Sequence, residues 1–375
     1  MSLTVVLLMD DLEEWSGTEV HLRRLVGRLD PAQITPVLAV LGRDGLAGEF
    51  TAATGAAVHG LNIQSTLSLE GARGAAAVAR LLKQLSAGLL VTYHTAADLL
   101  GPVAGALAGV PVLSCRRDEG FTKKPVHVAL QRPLNRLLTG MIVVSHKVRQ
   151  AVRASEGYPS ARCQVIWNGE DLDRFAPGPS GLRRELGIGP DVPLVASVSL
   201  LTPIKDHDTQ LRAMELLAER MPDATLLIVG DGPERERLEA LAAPLGQRVR
   251  FLGHRDDIPE LLRGVDVLLQ TSTSEGFSNT ILQAMATALP VVVTAVGGNV
   301  ELVSTKCGHL VDRRSPEEVA RYLAQLLGSA RARARMGTAG RARVEQYCSL
   351  PAMVERYTDA FQRGASHRFP GPSYP

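Results

Sequence analysis

Apolar runs of strand length alternate with stretches of helical period along most of the chain. Thr4–Met9, Ile34–Leu41, Ala57–Leu61, Gly88–Tyr93, Pro111–Cys115 and Gly140–Ser145 form one series of such runs. Val192–Leu201, Ala224–Val229, Val249–Leu252, Asp266–Thr271, Pro290–Thr294 and Gly308–Val311 form a second. Continuous apolar runs bounded by polar or turn residues predict buried strands. Val20, Leu22, Leu25, Val26 and Leu29 fall at helical spacing behind Ser16-Gly17-Thr18-Glu19, and Gly71–Leu85 is Ala-rich. Further helices are predicted up to about Arg220, after Gly230-Asp-Gly-Pro233, after Asp257, and at Pro316–Leu327, Ala330–Gln346 and Leu350–Arg363. Strands alternating with helices indicate an α/β protein with parallel, doubly wound sheets.

A chain of 375 residues exceeds one ordinary core, so two domains are expected. Pro and Gly cluster at Ala176–Gly181 and Gly187–Pro190, as linkers do. The expected division is an N-terminal domain over 1–180, a linker over 181–190 and a C-terminal domain over 191–349. The tail over 366–375, with three prolines, is expected to be disordered.

The densest chemistry lies in Ser274–Thr294. The run Asp266–Thr271 ends in Ser272, Thr273 and Ser274, and Glu275-Gly276-Phe277 then turns the chain. Ser278 or Asn279 is a good N-cap for a helix reaching about Ala288, and Pro290 stops that helix before the next strand. In an open parallel sheet such a strand-to-helix loop lies where ligands bind. The free N–H groups at the helix start suit a phosphate.

This block resembles the donor-site signature of family 4 of the retaining, nucleotide-sugar-dependent glycosyltransferases. That signature runs Glu, seven residues, Glu, an Ala-Met-Ala helix, a Pro-Val-Val strand and a Gly-Gly loop. Glu275 fills the first position, and Ala284-Met285-Ala286, Pro290–Thr294 and Gly297-Gly298-Asn299-Val300-Glu301 fill the others, with Gln283 standing at the second glutamate. Val165–Phe175 resembles the family's Pro-Asn-Gly-Val-Asp block, with Trp167 in place of the proline.

The resemblance implies the GT-B fold, two Rossmann-like domains facing each other across a cleft, with the 350–365 helix packing back on the N-terminal domain. It implies transfer of a sugar, with retention and without a metal or cofactor, from a nucleotide-diphosphate sugar to a hydroxyl of a glycan, lipid-linked or small-molecule acceptor. Glu275 would contact the donor sugar and Lys205 would neutralise the diphosphate. Gly17, Gln283, Phe277, Ser278, Asn279, Thr280, Gly297 and Gly298 would bind the donor. Leu200 occupies the position of the family's arginine, and His254, Arg116 or Arg117 are substitutes for its charge. On the acceptor side stand His94, Arg116, Arg117 and Asp118. The family's motif histidine is not evident. Leu200, Gln283 and that missing histidine support a second reading, a catalytically weakened relative that binds a nucleotide sugar or partners an active transferase.

Taken alone, Gly17 reads as a turn, and His94 suits a satisfied histidine at a strand end as well as a functional one. Arg116-Arg117-Asp118 behind a buried strand makes a ready phosphate fork. Gly230-Asp-Gly-Pro-Glu-Arg235 begins like a dinucleotide fingerprint, but Arg235 stands where the third glycine belongs.

Composition narrows the partners. Hydrophobic content of 45% with 21% charged residues and a net charge of +2 suits a soluble α/β protein and argues against a general nucleic-acid binder. The four cysteines are scattered, which points to reduced thiols in the cytoplasm and no zinc site. No apolar run reaches about 18 residues, so no spanning helix is expected. Thr4–Met9 meets Asp10 and Asp11 at once and reads as a strand, not a signal peptide. Residues 116–153 hold nine Lys or Arg against Asp118 and Glu119. They form either a solvated face or, with Phe121, Val126, Val128, Ala129 and Leu130, a landing surface for an anionic membrane or acceptor.

Overall fold

The computed structural model describes residues 2–63, 65–66, 68–120 and 123–371. The chain divides into two compact units, residues 1–169 with 351–375, and residues 170–350. Unit 1 holds β1 (Leu3–Met9), β2 (Ile34–Val40), β3 (Ala57–Gly60), β4 (Leu89–Tyr93), β5 (Val112–Arg116), β6 (Gly140–Val143) and β7 (Cys163–Val165) in the order β3-β2-β1-β4-β5-β6-β7. Unit 2 holds β8 (Leu194–Val198), β9 (Thr225–Val229), β10 (Val249–Gly253), β11 (Val267–Gln270), β12 (Val291–Thr294) and β13 (Gly308–Val311) in the order β10-β9-β8-β11-β12-β13. The named pairs are parallel. β1, β4, β8 and β11 are buried along almost their whole length, because helices cover both faces of each sheet. Each sheet reverses its strand order once, at β1/β4 and at β8/β11. Loops leaving the carboxyl ends of those strands open into a crevice suited to a ligand.

Several elements escaped the sequence reading. Helices at Ala47–Thr54, Thr95–Ala108, Pro125–Leu134 and His146–Glu156 were not predicted, nor was β7. Thr95–Ala108 carries Gly101, Pro102 and Gly105, which disfavour a helix intrinsically. Burial overrides that preference. A Cβ at Gly101 would overlap the Thr92 methyl, and one at Gly105 the Val112 side chain. The glycines let this helix lie close on the sheet.

Residues 181–190 are folded onto unit 2 and do not form a free linker. Leu182–Glu185 is a helical turn, Leu182 is fully buried, and Arg183 pairs with Asp266 at 2.8 Å. The tail makes contacts with the rest of unit 1 as far as residue 371. Phe369 occupies the space a side chain at Gly140 would need, and the Gly371 N–H donates to Gln164 Oε1 at 3.2 Å. The expectation for 372–375 lies outside the described residues. The helix Leu350–Ala365 packs on unit 1, where the Tyr357 ring centroid lies 5.1 Å from that of His21.

Candidate active site

In unit 2 the chain leaving β8 and the chain leaving β11 meet at the switch point. Pro203–Lys205 forms a 3-10 turn, tied to the second loop by Thr273 N–H to Ile204 O (2.8 Å) and Thr271 Oγ1 to Asp206 O (2.8 Å). That tie brings Lys205 Nζ to 2.6 Å from Glu275 Oε1, with both side chains largely buried. Gly297 and Gly298 close the site from the β12 side. Gly297 has φ of +48°, and a Cβ there would collide with the Glu275 carbonyl. The Gly298 N–H donates to Gly276 O at 3.1 Å.

The side chains of two expected donor contacts are buried. Phe277 is buried against Gly298, and the Ser278 hydroxyl is buried, donating to Gln270 Oε1 and accepting from Ile281 N–H as the cap of Asn279–Ala286. Asn279, Thr280 and Gln283 are half-buried on that helix, where a ligand can touch them. Leu200 is 52% exposed, so the missing arginine leaves an apolar side chain in solvent. His254 is 78% exposed and lies 3.2 Å from Asp256. His207, missed by the sequence reading, is buried behind Ser199 Oγ (3.2 Å). Burial and the nearby Lys205 push its pKa down to about 4, so it is neutral at pH 7 and adds no charge.

In unit 1 the corresponding switch point joins β1 and β4. Gly17 is exposed at the start of the helix Gly17–Val26, and nothing crowds the space a side chain would take. Ser16 Oγ donates to Glu19, and Glu19 Oε1 stands 4.0 Å from His94 Nε2. His94 has φ of +71°. Asp10, at the end of β1, holds the strained corner by accepting the Ala96 and Ala97 N–H groups at 2.9 and 2.8 Å. Burial raises the Asp10 carboxyl pKa despite those bonds.

Arg116 is not a free phosphate fork. It is 4% exposed and bound to Asp98 and to Glu156, the latter at 3.1 Å. Lys123 takes the other Glu156 oxygen at 2.7 Å. The cation is consumed because β5 delivers it beneath the surface, between two helices that each present a carboxylate. Arg117 remains half-buried. Its Nη2 donates to Asn168 Oδ1 at 2.9 Å, and its Nη1 has no hydrogen-bond partner among the described residues. Asp118 accepts the Gly120 N–H at 2.6 Å. Arg117, Asp118, His94 and Thr95 line a cavity of about 60 Å³ in this unit.

The family described as Glycosyltransferase Family 4 matches residues 15–174, and that described as Glycosyl transferases group 1 matches residues 181–343. The chain is similar to a GDP-mannose-dependent alpha-(1-6)-phosphatidylinositol monomannoside mannosyltransferase of Mycobacterium tuberculosis. The two are 31% identical over 283 residues, covering 71% of this chain and 73% of that protein. The chain belongs to glycosyltransferase family 4. A monoacylated-substrate mannosyltransferase of Corynebacterium glutamicum is 34% identical to this family 4 chain over 208 residues, and the match spans 55% of that relative's length. Its fold matches that of Anabaena Alr3699/HepE in complex with UDP (TM-score 0.86, 24% identity, 96% of this chain and 100% of that one). It also matches sucrose-phosphate synthase from Thermosynechococcus elongatus (TM-score 0.82, 19% identity, 96% and 98%). The GT-B fold is therefore present. Among the described residues no helix is long and apolar enough to cross a membrane.

Proposed function

We propose that this family 4 chain transfers a sugar from a nucleotide-diphosphate sugar to a hydroxyl of an anionic, lipid-linked acceptor, with retention and without a metal. The observation that carries the reading is the Lys205–Glu275 pair under the Gly297-Gly298 loop. Departure of a nucleotide diphosphate builds negative charge on phosphate oxygens while the sugar gains oxocarbenium character. Lys205 supplies a fixed cation for the first. Glu275 holds the sugar hydroxyls, which restricts the reacting carbon to one orientation. Asn279, Thr280 and Gln283 face the nucleotide. Gln283 offers a neutral carbonyl acceptor to the ribose in place of a carboxylate, so its grip is weaker.

The acceptor class follows from relatives whose names specify phosphatidylinositol mannosides and from the surface of unit 1. Val126 and Leu130, one helical turn apart, are exposed together with Leu137, Lys124, Arg132 and Arg136. Exposed apolar side chains ringed by cations suit an anionic bilayer surface, and we assign this face to peripheral contact with the inner side of the membrane. Arg116 and Lys123 are spent on Glu156 and take no part; Phe121 lies outside the described residues.

The direct test is release of UDP or GDP from UDP-glucose and GDP-mannose, with and without phosphatidylinositol vesicles. Release that disappears in Lys205→Ala and Glu275→Ala supports the reading; release that survives both places the chemistry elsewhere. The exposed Leu200 favours one competitor, a nucleotide-sugar binder without turnover. Nucleotide binding with no release under any condition establishes that alternative.

A further inference from the structure

β11 is apolar until its last residue, Gln270, which is 4% exposed. A buried amide is costly unless its groups are bonded, and here they are. Its Nε2 donates to Glu275 Oε1 at 2.5 Å and to Ser272 Oγ at 3.2 Å. Its Oε1 accepts from Ser278 Oγ at 2.9 Å. The amide orientation is forced, because an ionised carboxylate only accepts. The Ser278 hydroxyl already accepts from Ile281 N–H, so its proton points to the amide oxygen. Ser272 Oγ donates to the same Glu275 oxygen at 2.7 Å, and the Ser272 carbonyl is pinned by Thr294 Oγ1 at 2.6 Å.

Three donors, from Lys205, Gln270 and Ser272, therefore converge on Glu275 Oε1. No hydrogen bond to Oε2 is made among the described residues. We infer that Gln270 and Ser272 are positioning residues, which hold the Glu275 carboxylate by one oxygen and present the other to the donor sugar. The inference rests on the transferase reading above and adds a second role for the clamp. When Lys205 moves its contact to the diphosphate, Glu275 loses one of three anchors and keeps two, so it stays in place through the reaction. The chain that carries the clamp also carries the helix cap, since Ser278 links Gln270 to the start of Asn279–Ala286. The sugar-facing carboxylate and the nucleotide-facing helix are thus set by one side chain.

Gln270→Glu tests this with little change of shape. It keeps an acceptor for Ser278 and replaces the donor facing Glu275 with a second carboxylate. Gln270→Met removes all three amide bonds without adding charge, and Ser272→Ala removes one anchor. The readouts are kcat and KM for nucleotide diphosphate release from UDP-glucose and GDP-mannose, the affinities for UDP and GDP, and Tm. Gln270→Glu is expected to lower kcat at least tenfold, with KM and nucleotide affinity within threefold, and to lower Tm, because a second carboxylate is then buried against Glu275. Gln270→Met and Ser272→Ala should lower kcat less, in the same pattern. Unchanged kcat in folded Gln270→Glu and Gln270→Met overturns the inference, as does a loss that tracks KM instead of kcat. A readout free of turnover separates this from failure of the transferase reading. Crystals with UDP should show Glu275 in one rotamer in the parent protein and displaced in Gln270→Met. An undisplaced Glu275 in Gln270→Met sinks the clamp even if the protein turns over no donor.

Discussion

Lys205 Nζ stands 2.6 Å from Glu275 Oε1, although 70 residues separate them in the chain. The two lie on the segments that follow β8 and β11, the adjacent strands at which the unit 2 sheet reverses its order, and backbone-directed bonds from Thr271 and Thr273 lock the two loops together. A cation held this way would have only to exchange its Glu275 contact for a phosphate oxygen.

Lys205→Ala should lower turnover by about 100-fold, the scale for deleting one preorganised charge-stabilising donor. Nucleotide diphosphate affinity should fall by less, because leaving-group charge is greatest in the transition state. Parallel steady-state kinetics and calorimetry check the split.

Leu200→Arg combined with Gln283→Glu should tighten donor binding. Each charge-assisted bond is worth about 1.5–3 kcal/mol, and a gain of about 1.4 kcal/mol is tenfold in affinity. Leu200 is already in solvent, so the arginine is accommodated without repacking. Isothermal titration with UDP and GDP measures the change.

Gly297→Ala should cost roughly 2–3 kcal/mol in stability, since a positive φ is strained for alanine. The new methyl also meets the Glu275 carbonyl, so nucleotide binding should be lost first. Thermal unfolding with and without UDP or GDP distinguishes the two effects.

The buried network in unit 1 predicts an acid limb of stability. Burial opposes ionisation of Glu156, but Arg116 and Lys123 outweigh it and hold the carboxyl below the ordinary glutamate range. A carboxylate with a depressed folded-state pKa contributes stability above its unfolded value, about 4.3, and loses it as pH falls through the folded value. Tm should therefore drop below about pH 4.3 in the parent protein and drop less steeply in Glu156→Gln. At pH 7 the same substitution should cost about 3 kcal/mol, because two buried cations lose their shared partner.

Val126→Ser with Leu130→Ser should abolish sedimentation with anionic vesicles, and Lys124→Ala with Arg136→Ala should weaken it in a salt-sensitive way. Equal recovery with neutral vesicles would leave this face merely solvated.

The alternation of buried runs with helical stretches determined the two parallel sheets, because side-chain period and strand burial are local properties that the residues carry with them. The loop signature from Glu275 to Gly298 was equally legible. Its residues are contiguous, and the strained backbone at Gly297 admits no other side chain. What the sequence concealed was decided by contacts between distant segments. Arg116 and Arg117 are neighbours of like charge and line the same cavity, yet one is neutralised by Asp98 and Glu156 while the other donates to Asn168. Phe277 and Ser278 sit in a binding motif, yet they build the site from below. Thr95–Ala108 is a helix against its own propensity, because its glycines allow close packing on β4 and β5. Gln270 lies inside the run Asp266–Thr271, which reads as one apolar strand, and only the folding of β11 against β8 and β12 placed its amide on Glu275. Which partner a polar group finds depends on strand order and register, and these are properties of the packed sheet and not of any one segment.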